Sequence, residues 1–409
     1  MVLYKREQYL KKLRGFYHED DIIKVITGVR RCGKSSLMKT VIEELLASGV
    51  SNENIIYLDL EKRGLKHIKT ARALEEEIEA RAQAKGLKYL FIDEVQNVAG
   101  FENTLNGYRS EGGWSVFITG SNSYLLSGEL VTKLTGRYLE FELFPLDLQE
   151  YEDMKRFYGK PIDANPLAEL SQYILEGGFP RALFLDSIQD KRRYVHGVVE
   201  EIFEKDIRKR LKIRNKASFE TVRQYIINNF GATTSLTNIS KALRQNGTSV
   251  STNTVSKYIK ALIDAKILYE CPRFDMKSKK SLEGEKKYYL ADLGFYYAEN
   301  TDNRINFGPV LENIVYIYSR ALDYSVSIGR FGKFECDFIL RSPEMNYSYV
   351  QVAYTILQSK ETEEREYRPL ESVKDNYPKY VMTTDYILQQ RNGISHVNLF
   401  DFMNDQRHF

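Results

Sequence analysis

The chain has 409 residues, 43% of them apolar and 28% charged, which fits a folded protein of two to four domains. Fifty-nine basic residues against 56 acidic ones leave a net charge of +3, too little to argue for a nucleic-acid partner from the whole chain, so any basic surface has to be local. Three widely spaced cysteines match no disulfide or zinc spacing, and no apolar run approaches the ~18 residues of a membrane span, which predicts a reducing, cytoplasmic setting without a membrane.

In chain order, residues 4–16 are basic and periodic, predicting a helix beside the first strand, and the N-terminal stretch lacks an apolar core of signal-peptide length. Residues 21–27 are β-branched and apolar, a buried strand by composition. Then comes Gly28-Val29-Arg30-Arg31-Cys32-Gly33-Lys34-Ser35, which fits the phosphate-binding pattern G-x-x-x-x-G-K-[ST], followed by helical spacing over 36–46. The glycines let the chain turn with its N–H groups inward, and the helix N-terminus adds positive potential where a β-phosphate would sit. Residues Gly28 through Ser36, the last being Ser36 itself, are the expected ATP contacts. Lys34 is expected to bridge the β- and γ-phosphates, and Ser35 to bind Mg²⁺. Cys32, inside the loop, predicts an activity sensitive to thiol alkylation, with ATP protecting.

Residues 55–60 read as the next strand, 71–85 as an amphipathic helix, and 88–93 as a buried strand ending in Asp93-Glu94. Asp93 is expected to hold Mg²⁺ through water, and Glu94 to polarise the water that attacks the γ-phosphate. That second acid favours hydrolysis over phosphoryl transfer to a substrate. Residues 114–119 are a further strand with a polar tip, Gly120-Ser121-Asn122; Asn122 is a candidate contact to the γ-phosphate or the water, although the same residues make good turn chemistry. Strands alternating with helices predict a parallel sheet covered on both faces, with ligands at the carboxyl ends of the strands. Arg137 has two readings: a surface arginine, or the cation that neutralises γ-phosphate charge in cis or from a neighbouring subunit. Residues 141–146 are the expected last strand, which closes an ATPase core at 1–146.

Residues 147–215 read as a helical lid with a Gly177-Gly178-Phe179-Pro180 turn. Over 216–290, helices at 219–230, 235–245 and 252–266 precede strands at 267–271 and 286–290, the layout of a winged helix-turn-helix. On the third helix Val255, Tyr258, Ile259 and Leu262 form the inward stripe, and Asn253, Ser256, Lys257 and Lys260 fall on the opposite face. With a wing carrying Lys277, Lys279, Lys280, Lys286 and Lys287, this predicts double-stranded DNA as partner through Asn253, Lys257 and Lys260; docking to a protein is the rival.

In residues 291–409, Glu312 on a helical run, Asp337 on one strand and residues 349–354 on the next follow the order of PD-(D/E)-x-K nucleases. The second acid and the lysine of that pattern are Gln351 and Ala353 here. The expectation is a restriction-endonuclease-like α/β domain without its chemistry; an active DNA nuclease is the rival, opposed by Gln351 and Ala353.

The chain as a whole resembles a prokaryotic family of AAA-type ATPases carrying a C-terminal domain of unknown function. The resemblance rests on residues 27–36, 90–98, 119–123, 136–138, 177–180, 288–295 and 335–338 with Gln351-Val352. It implies an α/β P-loop NTPase sheet, a winged helix and a degenerate nuclease-like domain. ATP and Mg²⁺ are the implied cofactors, and nucleotide state would control the winged helix and the C-terminal domain. The rival is a slow ATP-gated switch that recruits a protein partner or self-associates.

Overall fold

In the computed structural model, which describes residues 2–120, 136–211, 213, 215–275, 280–300, 304–332 and 334–409, helices and strands alternate up to residue 119 and a further strand follows at 138–142. They are α1 (Glu7–Arg14), β1 (Ile23–Thr27), α2 (Lys34–Ala47), β2 (Ile55–Asp59), α3 (Ala71–Arg81), β3 (Lys88–Asp93), α4 (Phe101–Glu111), β4 (Trp114–Thr119) and β5 (Tyr138–Glu142). All five strands are parallel, in the order β2-β3-β4-β1-β5. β1 and β4 are buried along their whole length, as near-continuous apolar strands covered on both faces must be. Val25, Leu58, Ile92, Val116 and Ile118 belong to one core cluster with Leu74 and Leu105 of the flanking helices. The order puts β4 between β1 and β3, so the loop after β1 and the acids after β3 are separated by the end of β4. The last strand falls a few residues earlier than the expected 141–146, and Leu143 N–H continues its pairing by donating to Thr27 O at 2.8 Å.

Two compact units divide the chain: Met1–Phe144 with Asp264–Lys266, and Pro145–Ile263 with Ile267–Phe409. In the first, Lys266 forms an ion pair with Glu142 of β5.

The second unit begins with α5 (Leu148–Phe157), α6 (Pro166–Glu176) and α7 (Ile188–Ile202), the helical character expected of 147–215. α5 opens with a capping box between Asp147 and Glu150, and α6 with a proline in its first turn. Three more helices follow, α8 (Lys216–Asn228), α9 (Leu236–Gln245) and α10 (Thr252–Asp264), then the hairpin β6 (Leu268–Asp275) and β7 (Lys280–Leu290), with a short antiparallel bridge from Thr234 to Lys286. The remaining elements are α11 (Gly294–Glu299), α12 (Phe307–Ala321), β8 (Ser325–Phe331), β9 (Phe334–Arg341), β10 (Tyr347–Val352), α13 (Lys360–Glu371), β11 (Lys379–Thr383), β12 (Gln390–Arg391), β13 (Ile394–Asn398) and α14 (Leu399–Asn404).

The hairpin corrects the expected layout. β6 pairs in parallel with β8, and one eight-stranded sheet runs β12-β13-β11-β10-β9-β8-β6-β7, straight across residue 290. Lys286 and Lys287 lie in β7, within the strand expected at 286–290, and that strand is part of the larger sheet. Lys286 Nζ pairs with Glu270 at 2.6 Å, and Lys287 is buried. Lys277, Lys279 and the Lys280 side chain lie outside the described residues.

A second joint ties the start of this unit to the end of the hairpin. Gly177 leaves α6 with φ 76° and ψ 176°, a region essentially reserved for glycine, and a Cβ there would meet Asp292 Oδ1 at 2.2 Å. The buried Asp292 carboxyl accepts from Gly178 N–H at 2.6 Å and Gly294 N–H at 2.7 Å. Burial pushes its pKa up to about 7 against that help. Because the folded value is raised, the group's contribution is complete below pH ~4 and is lost as pH rises through about 7. Gly177→Ala should cost ~2–4 kcal/mol by combined clash and backbone strain. In urea titrations from pH 4 to 8, the wild type should lose stability relative to Asp292→Asn as pH rises; parallel curves would exclude Asp292 as the titrating group.

Candidate functional site

The carboxyl edge of the five-stranded sheet collects the loop 28–35, Asp93-Glu94 and Thr119. Gly28 has φ 141°, and a Cβ on it would lie 2.1 Å from Leu143 O, so only glycine can let the loop leave β1 at this point. Gly33 is also left-handed, φ 112°, and stands at the N-cap of α2 without a side-chain cap; the first turn holds no acid. Its N–H groups are thus left for an anion rather than for the chain's own oxygens. Lys34, 4% exposed, folds back over the loop and donates from Nζ to Gly28 O at 3.0 Å and Val29 O at 3.1 Å. A glycine cradle, an uncapped helix start and an ammonium held by exchangeable carbonyl bonds fit a polyphosphate. Ser35 is half-buried at the start of α2, whereas Arg31, with φ 70°, and Ser36 are exposed.

Opposite, Asp93 is held by two hydroxyls. Tyr57 donates to Oδ2 at 3.0 Å and Thr119 to Oδ1, while Thr119 Oγ1 also accepts the Glu94 N–H at 3.0 Å. Thr119, at the end of the strand between, fixes both acids. Glu94 is left-handed, φ 58°, with Gln96 donating to its carboxylate and Arg30 Nη2 3.9 Å away. Burial raises the Glu94 pKa, against the pull of Lys34 and Arg30. A carboxylate so raised is a better proton acceptor than an exposed one. Arg30 also reaches Glu61 at 3.4 Å.

Several of these contacts had no signal in the sequence. Arg6, from the basic stretch read only as a helix, donates to Cys32 O at 3.2 Å and Phe144 O at 2.7 Å, pinning the back of the loop. The clasp on Asp93 by Tyr57 and Thr119 needs the strand order, which the residues alone do not give. The structure does not bring Arg137 to this edge. Arg137 immediately precedes β5, whose Tyr138 lies beside Ile23 at the opposite, amino end of β1, and its Nη1 donates to Asn106 at 3.2 Å. A cis contact from Arg137 to the loop is thereby corrected. Ser121 and Asn122 lie outside the described residues. Cys32 is fully buried, and burial pushes its thiol pKa up, an environment that opposes ready alkylation.

Residues 20–152 match the AAA domain family, and 167–304 match a domain of unknown function. An uncharacterized protein of Haemophilus influenzae is 32% identical over 404 residues, spanning 98% of this chain and 99% of its own. One from Methanocaldococcus jannaschii is 29% identical over 363 residues, 86% of this chain and 79% of its own. Among solved structures, a Walker-type ATPase of Pyrococcus abyssi shares 14% identity over 73% of this chain and 95% of its own, with a TM-score of 0.49.

All three cysteines are free and buried. Thiol labelling of the native protein should therefore run roughly 100-fold slower than in denaturant. Fast native labelling mapped to Cys32 by peptide mass would overturn the placement of its side chain.

Proposed function

The chain belongs to the family of AAA-type P-loop ATPases that carry an additional domain of unknown function, and from that premise we propose that it is a Mg²⁺-dependent ATPase whose nucleotide state governs DNA contact by α8–α10. The observation that carries the hydrolytic half is the pairing of an inward Lys34 with a buried, left-handed Glu94 of raised pKa at the same sheet edge. Lys34 and the loop N–H groups hold the phosphates. Ser35 and Asp93 are the residues that would hold Mg²⁺, which supplies charge neutralisation when bound. Glu94 takes a proton from the attacking water, with Thr119 and Arg30 orienting it. Arg137 is held by its own chain at the far end of the sheet, so a role in hydrolysis would be in a neighbouring subunit's site.

The DNA half is supported by the surface of α10. Val255, Ile259 and Leu262 are buried, while Asn253, Ser256, Lys257 and Lys260 are all exposed, and Lys241 and Arg244 of α9 are exposed as well. That is a basic polar helix face of the kind a major groove accepts. Chain continuity offers the coupling: α10 ends at Asp264, in the short segment that belongs to the ATPase unit and is anchored there through Lys266 and Glu142. Among the described residues no helix is long and apolar enough to cross a membrane.

Lys34→Ala should abolish tight ATP binding, and Glu94→Gln should keep it while slowing single-turnover hydrolysis by ~10²–10⁴. Wild-type hydrolysis should rise with pH through a pKa above the ordinary carboxylate range. Equal loss of nucleotide affinity in both variants would overturn the two roles. For the DNA half, Lys257→Glu with Lys260→Glu should weaken duplex binding and flatten its salt dependence by about two phosphate contacts. Basal ATPase activity should not change. Unaltered affinity at low salt would assign α10 to a protein partner.

A further inference from the structure

The eight-stranded sheet contains a buried charge cluster that the ATPase reading does not use. Lys287 of β7, 5% exposed, points its ammonium at three carboxylates: Glu312 of α12 at 3.0 Å, Glu335 of β9 at 3.3 Å and Asp337 of β9 at 4.0 Å. Each acid is also steadied by another donor. Tyr289 hydroxyl donates to Glu312 at 2.7 Å, Arg273 to Glu335 at 3.0 Å, and Val352 N–H to Asp337 at 2.8 Å. For Glu335 and Asp337 the steadied oxygen is one of the pair, and the other is turned to Lys287. Gln351 completes the surround, its Oε1 accepting the Asp337 N–H at 3.3 Å.

Those acids are the ones whose order along the chain matches a metal-dependent nuclease, and the position expected to hold lysine, Ala353, cannot supply a charge. The cation instead comes from outside the motif, from the hairpin. Burial by itself pulls the Lys287 pKa down, but Glu312, Asp337 and Glu335 outweigh it and the net shift is upward. Burial and the Glu312 charge raise Asp337 well above the usual carboxylate range. Glu312 and Glu335 face the cations of Lys287 and Arg273. Oxygens 3.0–4.0 Å from a common point suit an ammonium, whereas Mg²⁺ needs about 2.1 Å and Mn²⁺ little more. Among the described residues no group of His, Cys, Asp and Glu is already drawn together for a metal ion.

We propose that this cluster is a self-loaded cation site, in which the Lys287 ammonium occupies the point where Glu312, Glu335 and Asp337 would otherwise gather a divalent metal. The lysine shuts the site to Mg²⁺ and Mn²⁺ and pins the hairpin to α12 and β9. Removing it takes the ammonium from Glu312 and Asp337 and leaves Glu335 to Arg273 alone, a state that is either destabilised or relieved by an external cation.

The experiment uses the full chain without nucleotide, with Mn²⁺ as the probe, followed by electron paramagnetic resonance and thermal melting. Lys287→Met should melt several degrees below wild type in chelator and recover with Mn²⁺. It should bind one Mn²⁺ at least ~10-fold tighter than wild type does, a gain lost again on adding Asp337→Asn. Lys287→Arg should melt near wild type and gain no Mn²⁺. If Lys287→Met does not fold, Lys287→Met with Glu312→Gln decides: the pair should fold, because one charge of each sign has gone. An unchanged melt in Lys287→Met, no gain of Mn²⁺ by a folded Lys287→Met, or failure of the paired variant to fold would each overturn the proposal.

Discussion

The close approach of Gly28 to the Leu143 carbonyl is the constraint on which the nucleotide edge depends. With no room for a Cβ between β1 and the segment after β5, the chain has to leave β1 through a conformation open to glycine alone. The loop then curls back on itself, and Lys34 is drawn inward onto the carbonyls of Gly28 and Val29. These are ordinary neutral acceptors. A phosphate oxygen offers the same ammonium a charge-assisted bond of roughly twice the strength, so exchange favours the ligand. Arg6 closes the construction from behind by binding Cys32 O and Phe144 O, so that the loop and the Leu143 segment share one guanidinium.

Much of this was legible in the residues, because motifs local in sequence make local structure. The glycine loop between an apolar strand and a helix, the acids ending β3, and the inward stripe of α10 each needed only a few adjacent positions and a period of 2 or 3.6. What was not legible is long-range. The clasp on Asp93 draws Tyr57 and Thr119 from strands on either side of β3, and only the strand order β2-β3-β4 brings them together. Strand direction displaces Arg137: it immediately precedes β5, which runs parallel to β1, and so lies at the amino end of the sheet, away from the loop. Cys32 sits in the loop by sequence and in the core by packing, since a backbone that presents its N–H groups to a ligand turns some side chains the other way.

Buried polar groups follow one rule in both sheets of the chain. Asp93, Asp292 and Asp337 each accept hydrogen bonds from segments distant in sequence, so each carboxyl is positioned by long-range packing rather than by its place in a motif. Lys287 shows the limit of motif reading in the sharpest form: the pattern looked for a lysine two residues after Gln351 and found alanine, while the three-dimensional site obtains its lysine from a strand more than sixty residues earlier.

The hairpin that belongs to the three-helix segment and to the eight-stranded sheet also limits how chains of this kind can be assembled by recombination. The region 167–304 that matches a domain of unknown function ends with only β6 and β7 of eight strands inside it. Transplanted alone, it would carry an unpaired β6 edge and a cation without its acids. The remainder would keep an open β8 edge and three acids without their cation. A cut at residue 304 separates paired strands and paired charges, so a chain that keeps this sheet intact keeps everything from β6 onward together.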